Sequence, residues 1–221
     1  MKKNPFGVLT SFQTRVLDAL VQETPLKDFY LTGGTALSAF YLGHRLSEDL
    51  DLFTEVPQGI ARIPPLMRKI ARKLKLRLVL GRRFQTLFEC ALINRAGERL
   101  EMDFALDMPG RLAPLKKPPD WGLRIDNRLD IACNKLSALY ERSEPKDFVD
   151  LYVIHQSYLP FPKLIQQARK KYPELDNYGL AMAFFKVKGI ELWPKMLRPI
   201  NQDQLQDFFL TQAKRYTTRF S

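Results

Sequence analysis

The 221-residue sequence contains little cysteine, little histidine and no long hydrophobic run. Its two cysteines, Cys90 and Cys133, lie in separate apolar stretches without a CxxC pair, which predicts buried free thiols and a reducing, cytoplasmic location. The two histidines, His44 and His155, lack the spacing of a zinc motif. No stretch approaches the roughly 18–20 apolar residues of a membrane span, and the N-terminal residues do not form a secretory signal. We therefore expect no disulfide framework, no zinc site and no membrane partner.

Acidic residues are absent between Glu55 and Glu89, although the charged fraction of the whole sequence is ordinary. Basic residues are dense in the same interval: Arg62, Arg68, Lys69, Arg72, Lys73, Lys75, Arg77, Arg82 and Arg83. The formal net charge is +11. Solvated helix faces would explain any one of these residues, but their density favours a polyanion such as nucleic acid, a triphosphate or both. Neither a Walker A pattern nor a GxSxG pattern occurs, so P-loop chemistry is not supported.

Hydrophobic periodicity predicts an α+β protein, with a mixed sheet in residues 1–125 and helices in residues 126–221. The predicted strands are 29–32, 48–53, 76–80, 84–93 and 98–106. The predicted helices are 9–22, 35–42, 64–75, 127–142, 146–156, 161–171, 177–186 and 202–216. Residues 81–83 are expected to form a turn, and the proline-rich segment 109–121 a loop. The last three strands form an antiparallel meander in this interpretation.

One short segment combines a glycine pair with two carboxylates. Gly33 and Gly34 stand between a predicted strand and a predicted helix, where bare backbone N–H groups favour phosphate. Asp49 and Asp51 alternate along the next strand and therefore point to the same face. Two such carboxylates repel each other unless a cation lies between them, and Mg²⁺ prefers a few carboxylates plus substrate phosphates as ligands. The segment predicts a site for Mg²⁺, or Mn²⁺, and a nucleoside triphosphate.

A third carboxylate is expected on a neighbouring strand, and Asp103 fits this position. Leu100, Met102 and Phe104 alternate with it and point to the opposite face. Aspartate is disfavoured in strand interiors, which indicates a functional reason for its presence, with a water-facing sheet edge as the alternative. The sequence therefore predicts Asp49, Asp51 and Asp103 as metal ligands.

The motifs resemble those of the AbiEii/AbiGii toxin family of nucleotidyltransferases, within the polymerase-beta-like superfamily. The first motif is LTGGTAL at residues 31–37, followed by HRLSEDLDLF at residues 44–53. The family's second signature is similar to NKLSALYER at residues 134–142 and KDFVDL at residues 146–151. Several motifs in the same order make this resemblance, which spans residues 29–155, more specific than the aspartate pair alone.

The resemblance implies a nucleotidyltransferase fold with a helical C-terminal region that completes the active-site cleft. It implies that Gly33 and Gly34 hold phosphates together with Thr35 or Ser47. Asp49 and Asp51 would bind the metal and take part in catalysis.

The second signature implies two further catalytic residues, Lys135 and Asp150. Lys135 would contact phosphate, since a lysine is a compact cation suited to triphosphate oxygens. Asp147 would orient these groups. Arg45 would contact phosphate or pair with a local carboxylate, and the sequence leaves both roles open.

The resemblance also implies partners. Relatives of this kind act as toxins paired with an antitoxin protein, and some add nucleotides to the 3′ ends of tRNAs. An NTP substrate, an RNA acceptor bound by the basic segment, and an antitoxin are therefore expected. A protein or small-molecule hydroxyl is the alternative acceptor, although the net charge disfavours a cationic antibiotic. A catalytically idle nucleotide- or RNA-binding module is the alternative from another class, and it would leave the carboxylates unexplained.

Overall fold

The computed structural model describes residues 4–108, 110–118 and 121–217. The chain divides into two compact units, Met1–Asn127 and Arg128–Ser221. The first unit carries a six-stranded sheet, and the described part of the second unit is built of helices. This arrangement confirms the predicted α+β class.

The strands of the first unit are β1 (Phe29–Thr32), β2 (Leu50–Thr54), β3 (Arg77–Arg83), β4 (Leu87–Ile93), β5 (Arg99–Leu106) and β6 (Arg124–Ile125). Its helices are α1 (Ser11–Leu20), α2 (Gly33–Leu37, continued by a π-helical turn at Ser38–Leu42) and α3 (Ile63–Leu74). Short 3₁₀ turns occupy Thr24–Asp28 and Ile60–Arg62.

The strand order across the sheet is β3-β4-β5-β2-β1-β6. The meander β3-β4-β5 is antiparallel, as predicted. β2 then pairs with β5 in parallel and with β1 in antiparallel orientation, and β1 pairs with β6 in parallel. The parallel pair places two strands that are distant in sequence side by side at the centre of the sheet.

The two faces of the central strands have different environments. Leu52, Phe88 and Phe104 are buried on one face, and α3 contacts β3 and β4. Strand side chains alternate, so Asp51 and Asp103 belong to the other face, where both are partly exposed. The apolar alternation thus supplies the core of the first unit and leaves its carboxylates on the open face.

Local signals fix the helices of the first unit. Thr10 caps α1, and Gln13 completes a capping box with it. Gly43 adopts a left-handed conformation, with φ of +58°, and ends the helical stretch after Leu42.

The second unit contains α4 (Arg128–Glu141), α5 (Pro145–Ser157), α6 (Phe161–Lys171), α7 (Asn177–Phe185) and α8 (Gln202–Thr217). Its core is aromatic: the Phe148 and Phe209 rings lie 4.9 Å apart edge to face, and the Phe161 ring lies 5.4 Å from Phe184. Such pairs add to the free energy of apolar burial. Phe148, Phe161, Phe184 and Phe209 are each fully buried in this core.

Several other predictions can be compared with the structure. Cys90 and Cys133 are buried free thiols, as predicted. Within the described ranges, no helix has the length and apolarity needed to cross a membrane. The turn predicted at residues 81–83 is wrong: β3 continues through Arg83 with an irregularity in its pairing, and the chain turns at residues 84–86. Of the predicted loop 109–121, residues 109, 119 and 120 lie outside the described residues.

Candidate active site

Three carboxylates lie in one row across the centre of the sheet. Asp51 on β2 lies opposite Asp103 on β5 in the parallel pair. Asp103 in turn lies opposite Glu89 on β4 in the antiparallel pair. Asp49 precedes β2 by one residue and shares the alternation of Asp51. The structure therefore brings Asp51 and Asp103, which are 52 positions apart in sequence (103 − 51), into register.

Gly33 lies directly against the Asp51 carboxylate. A β-carbon at Gly33 would stand 1.8 Å from Asp51 Oδ2, and the residue has a φ of +67°. Both the contact and the left-handed backbone exclude a side chain at this position. The glycine pair thus sets the position of a carboxylate as well as leaving backbone N–H groups bare.

Gly34 lies against two of the predicted phosphate-binding side chains. A β-carbon at Gly34 would stand 2.5 Å from Arg45 Nη2 and 3.1 Å from Ser47 Oγ. Arg45 is 3% exposed, and its Nη1 donates to the Leu46 carbonyl at 2.8 Å. Gly33, Gly34, Arg45, Ser47 and Asp51 therefore form one compact group. This cradle would be filled by any larger residue at the glycine positions.

Thr35 and Gln13 hold the backbone that leads into Asp49. The Thr35 hydroxyl is buried and donates to the Asp49 carbonyl at 2.5 Å. Gln13 Nε2 donates to the Ser47 carbonyl at 2.9 Å and to the Glu48 carbonyl at 3.2 Å. The structure thus shows Thr35 positioning Asp49. Gln13 was not predicted as a site residue, because its position in the α1 capping box accounts for it locally.

A buried polar network fixes the strand that enters the glycine pair. Thr32 Oγ1 donates to Asp126 Oδ2 at 2.7 Å, and Arg111 Nη2 lies 2.9 Å from Asp126 Oδ1. The Tyr30 hydroxyl donates to Asp107. Burial and the neighbouring Asp107 raise the pKa of Tyr30 above its usual range. The network pins the end of β1 and therefore the start of the glycine turn.

Electrostatic repulsion within the carboxylate row is strong. Burial, together with the charges of Asp51, Glu89 and Asp49, raises the pKa of Asp103 to about 6. Excess negative charge of this kind suits a cation, and hard oxygen donors suit Mg²⁺ or Mn²⁺. Among the described residues, no three acidic, histidine or cysteine side chains form a ready-made metal cage. The residues present therefore fit a divalent cation that takes its remaining ligands from a bound triphosphate.

An open groove of about 380 Å³ runs from the carboxylates over β5, β4 and β3. Its lining includes Asp49, Asp103, Glu89, Glu101, Arg99, Val79, Gly81 and Ala91. Arg82 Nε binds both oxygens of Glu89, at 2.8 and 3.0 Å, and this pairing lowers the pKa of Glu89. Glu89 was missed from the sequence, although a lone carboxylate within a strand is the same signal that singled out Asp103.

Comparison with known proteins identifies the family of this chain. The profile of the family described as "Nucleotidyl transferase AbiEii toxin, Type IV TA system" matches residues 15–218. The chain belongs to this family. It is a nucleotidyltransferase of the AbiEii toxin family, which confirms the resemblance and the enzyme class inferred from the sequence.

One relative and two solved structures are similar to this chain over most of its length. An uncharacterised protein of Aquifex aeolicus is 27% identical over 207 residues, covering 92% of this chain and 95% of its own. A proposed nucleotidyltransferase of H. pylori matches with a TM-score of 0.61 and 16% identity, covering 93% of this chain and 92% of the other. MenT4, a nucleotidyltransferase toxin of Mycobacterium tuberculosis H37Rv, matches with a TM-score of 0.56 and 14% identity, covering 91% and 80%. The structural matches show that the nucleotidyltransferase shares its fold with these proteins.

The second family signature forms a buried charge cluster in the helical unit of the nucleotidyltransferase. Lys135 Nζ lies 2.9 Å from Asp147 Oδ1 and 2.8 Å from Asp150 Oδ2, and both aspartates are 0% exposed. Arg142 Nε also binds Asp147, at 3.0 Å. The structure therefore brings Lys135, Asp147 and Asp150 together, and Asp147 is the residue that both cations share.

Proposed function

We propose that the enzyme transfers a nucleoside monophosphate from an NTP to a hydroxyl of RNA, at the 3′ end of tRNA, as the toxin of a toxin–antitoxin pair. The acceptor oxygen forms a bond to the α-phosphorus, the bond to the β-phosphate oxygen breaks, and pyrophosphate leaves with the electron pair. The hydroxyl proton passes to a carboxylate or to water. The antitoxin would be a separate protein partner.

One observation carries the proposal: the in-register pair Asp51–Asp103, with the backbone of Gly33 packed against Asp51. The two carboxylates form a site of high negative charge, and the backbone of Gly33 lies so close to Asp51 that no side chain fits there. A nucleotidyltransferase needs both features, a place for a cation and a close approach for phosphates. The formal net charge of +11 supports a polyanionic acceptor.

We assign metal binding and phosphate binding to different residues of the first unit. Asp49, Asp51 and Asp103 would hold Mg²⁺ or Mn²⁺, and Asp103 would also help to activate the acceptor hydroxyl. Gly33 and Gly34 would present backbone N–H groups to the triphosphate, with Ser47 and Arg45 beside them. When bound, the cation supplies charge neutralisation at the triphosphate and at the transferring phosphoryl group. Thr35 would act chiefly by fixing the Asp49 backbone.

We assign Lys135 and Asp150 a required role in transfer, on the strength of the family signature. Their mutual ion pair at 2.8 Å fixes both side chains in the helical unit. An Asp150→Asn variant keeps the volume of the side chain and removes its charge. Loss of transfer in this variant, with the far-UV circular dichroism unchanged, would support the assignment.

Labelling tests the proposed reaction directly. Purified enzyme is incubated with each α-³²P-labelled NTP, Mg²⁺ and total tRNA, beside Asp51→Asn and Glu55→Gln variants. Glu55 follows β2 by one residue and is exposed, so its variant controls for loss of an acidic group at the same strand. We expect label on tRNA with wild type and Glu55→Gln, and a loss of about 10²–10³-fold with Asp51→Asn, because a lost electrostatic partner of the transition state costs several kcal/mol.

Other outcomes are equally informative. Label on protein instead of RNA would replace the RNA acceptor with a protein hydroxyl. No label on any acceptor, with NTP binding intact, would favour the catalytically idle binding module. Equal labelling by Asp51→Asn and wild type would remove Asp51 from the reaction.

A further inference from the structure

The basic residues between Glu55 and Glu89 do not all remain available to bind a polyanion. Several of its cations are neutralised locally: Arg62 lies 2.5 Å from Asp28, Lys69 lies 2.7 Å from Glu23, and Arg82 binds Glu89. Arg68, Arg72 and Lys75 have no ion pair within the part of the chain that the structure describes. Lys73 on α3 and Arg77 and Arg83 on β3 likewise have no ion pair among the described residues, so the charge available to a polyanion lies along α3 from Arg68 onwards and on β3.

Two grooves of the first unit collect this available charge. One, of about 340 Å³, is lined by Arg15, Leu74, Lys75, Leu76, Asn94, Arg95 and Ala96. The other, of about 470 Å³, is lined by Arg68, Ala71, Arg72, Leu76 and Leu78. The two grooves share Leu76, and no carboxylate lines either of them. Arg15, Lys75, Arg95, Arg68 and Arg72 together form what we call the cationic band.

The sheet connects the cationic band to the carboxylates. The carboxylate groove is lined by Asp103 and, four positions earlier on β5, by Arg99. At about 3.3 Å per residue these two positions are about 13 Å apart. Arg99 pairs with Ile93, and Ile93 is followed directly by Asn94 and Arg95, which line the first cationic groove. A chain that starts at the carboxylates and follows β5 backwards therefore reaches the turn between β4 and β5. It passes around this end of the sheet to reach the band, because α3 packs on the face opposite the carboxylates.

Lys75 lines the first of these grooves from the end of α3. It ends α3 in the left-handed conformation, with φ of +55°, which is unfavourable for a residue with a side chain. Its cation also stands beyond the C-terminal end of a helix, where the helix dipole favours positive charge.

We propose that the RNA strand upstream of the reacting 3′ end leaves the carboxylates along β5, passes the β4–β5 turn and lies in the cationic band. This inference rests on the proposed RNA acceptor and assigns its path. The band offers flexible cations and aliphatic walls, without aromatic rings in the lining of either groove. It therefore binds phosphates and reads little base sequence.

Binding to fluorescein-labelled total tRNA, without NTP, tests the path at salt concentrations from 50 to 200 mM KCl. The band variant is Arg15→Gln/Lys75→Asn/Arg95→Gln, in which asparagine tolerates the left-handed backbone. The control variant is Lys163→Gln/Lys170→Gln/Lys188→Gln, three exposed lysines of the helical unit. Each triple variant lowers the formal net charge from +11 by three, so long-range attraction changes equally in both.

We expect the band variant to bind tRNA at least tenfold more weakly. Its slope of log K against log salt should fall by about 2, since each lost phosphate contact on single-stranded RNA removes about 0.7. The control variant should keep the slope of the wild type. Equal weakening of both variants would overturn the band, because overall charge would then explain the affinity.

Transfer assays separate the two proposals. If wild type labels tRNA and the band variant does so with the same KM for tRNA, the band is wrong and the proposed function stands. If wild type neither binds nor labels tRNA, the RNA acceptor itself is wrong, and the band falls with it. Raised KM for tRNA with unchanged KM for NTP, in the band variant alone, would support both.

Discussion

Asp51 and Asp103 face each other across two strands with part of their surface exposed, whereas Asp147 and Asp150 are wholly buried on α5. The first pair repels, and its neighbours Asp49 and Glu89 add to the negative charge. The second pair is bridged by Lys135, with Arg142 on the far side of Asp147. The sheet site therefore concentrates negative charge on the open face of the sheet, whereas the aspartates of the helical cluster share a bridging lysine.

Aspartate therefore has a different role in each unit. A buried ion cluster that is complete within the fold resists change, because removing one partner strands the other charges away from water. Repulsion within a carboxylate row costs stability in the free protein, and a bound cation would offset this cost. Substitutions in the helical cluster should accordingly cost stability, in addition to the loss of transfer proposed for Lys135 and Asp150, whereas substitutions in the sheet site should cost mainly activity.

The largest effect on stability is expected for Lys135→Met. The variant removes the cation that bridges the buried carboxylates of Asp147 and Asp150, so the free energy of unfolding should fall by about 3–5 kcal/mol. Urea denaturation followed by circular dichroism measures this quantity. Lys163→Met, at an exposed position on α6, serves as the control and should change stability by less than about 0.5 kcal/mol. Equal stability of the two variants would mean that the cluster is not a structural unit.

A second test addresses the glycine that touches Asp51. Gly33→Ala places a methyl group where the Asp51 carboxylate lies, so the carboxylate must move, and a shift of about 1 Å can cost about 100-fold in rate. Gly7→Ala is the matched control, since Gly7 has the same φ of +67° but open space around it. Both variants should lose about 1–2 kcal/mol of stability from the left-handed backbone. Only Gly33→Ala should lose nucleotidyl transfer; comparable losses in both would place the cause in the backbone.

The contrast also shows how far sequence reasoning reaches. The helices were predicted closely because their apolar spacing and caps act locally, as for α6 at residues 161–171. The alternation of Asp49, Asp51 and Asp103 gave the correct face of each strand. Pairing between strands is not local, so the parallel contact of β2 with β5 could not be read from the same pattern.

The residues that sequence analysis missed or misplaced depend on contacts across the fold. Gln13 reaches carbonyl groups 34 and 35 positions away, and no local pattern indicates this. The wrong turn at residues 81–83 has a related cause: Arg82 stays in the strand, where it binds Glu89 on β4. The sequence of one glycine and two arginines favours a turn locally. The cross-strand ion pair and the backbone pairing of β3 with β4 outweigh this preference.

The smallest expected effect tests the repulsion itself. The pKa of Asp103 is raised to about 6, so the folded state binds this proton more tightly than the unfolded chain does. The carboxylate therefore destabilises the fold above pH 6, and the penalty disappears as the pH falls towards 4. Asp103→Asn should raise the Tm by about 2–4 °C at pH 7.5 in EDTA, corresponding to about 1 kcal/mol after allowance for solvent screening.

The pH dependence distinguishes this cause from a general effect of the substitution. The Tm difference between Asp103→Asn and wild type should vanish near pH 4, and it should shrink at pH 7.5 when Mg²⁺ and NTP are added, because bound cation neutralises the same charge in wild type. Glu101→Gln provides the control, as Glu101 lies on the same strand and is exposed beside Arg99. A Tm gain that persists at pH 4, or that Glu101→Gln reproduces, would show that the carboxylate row is not held under repulsion. The sheet site would then resemble the helical cluster in being neutralised from within the fold.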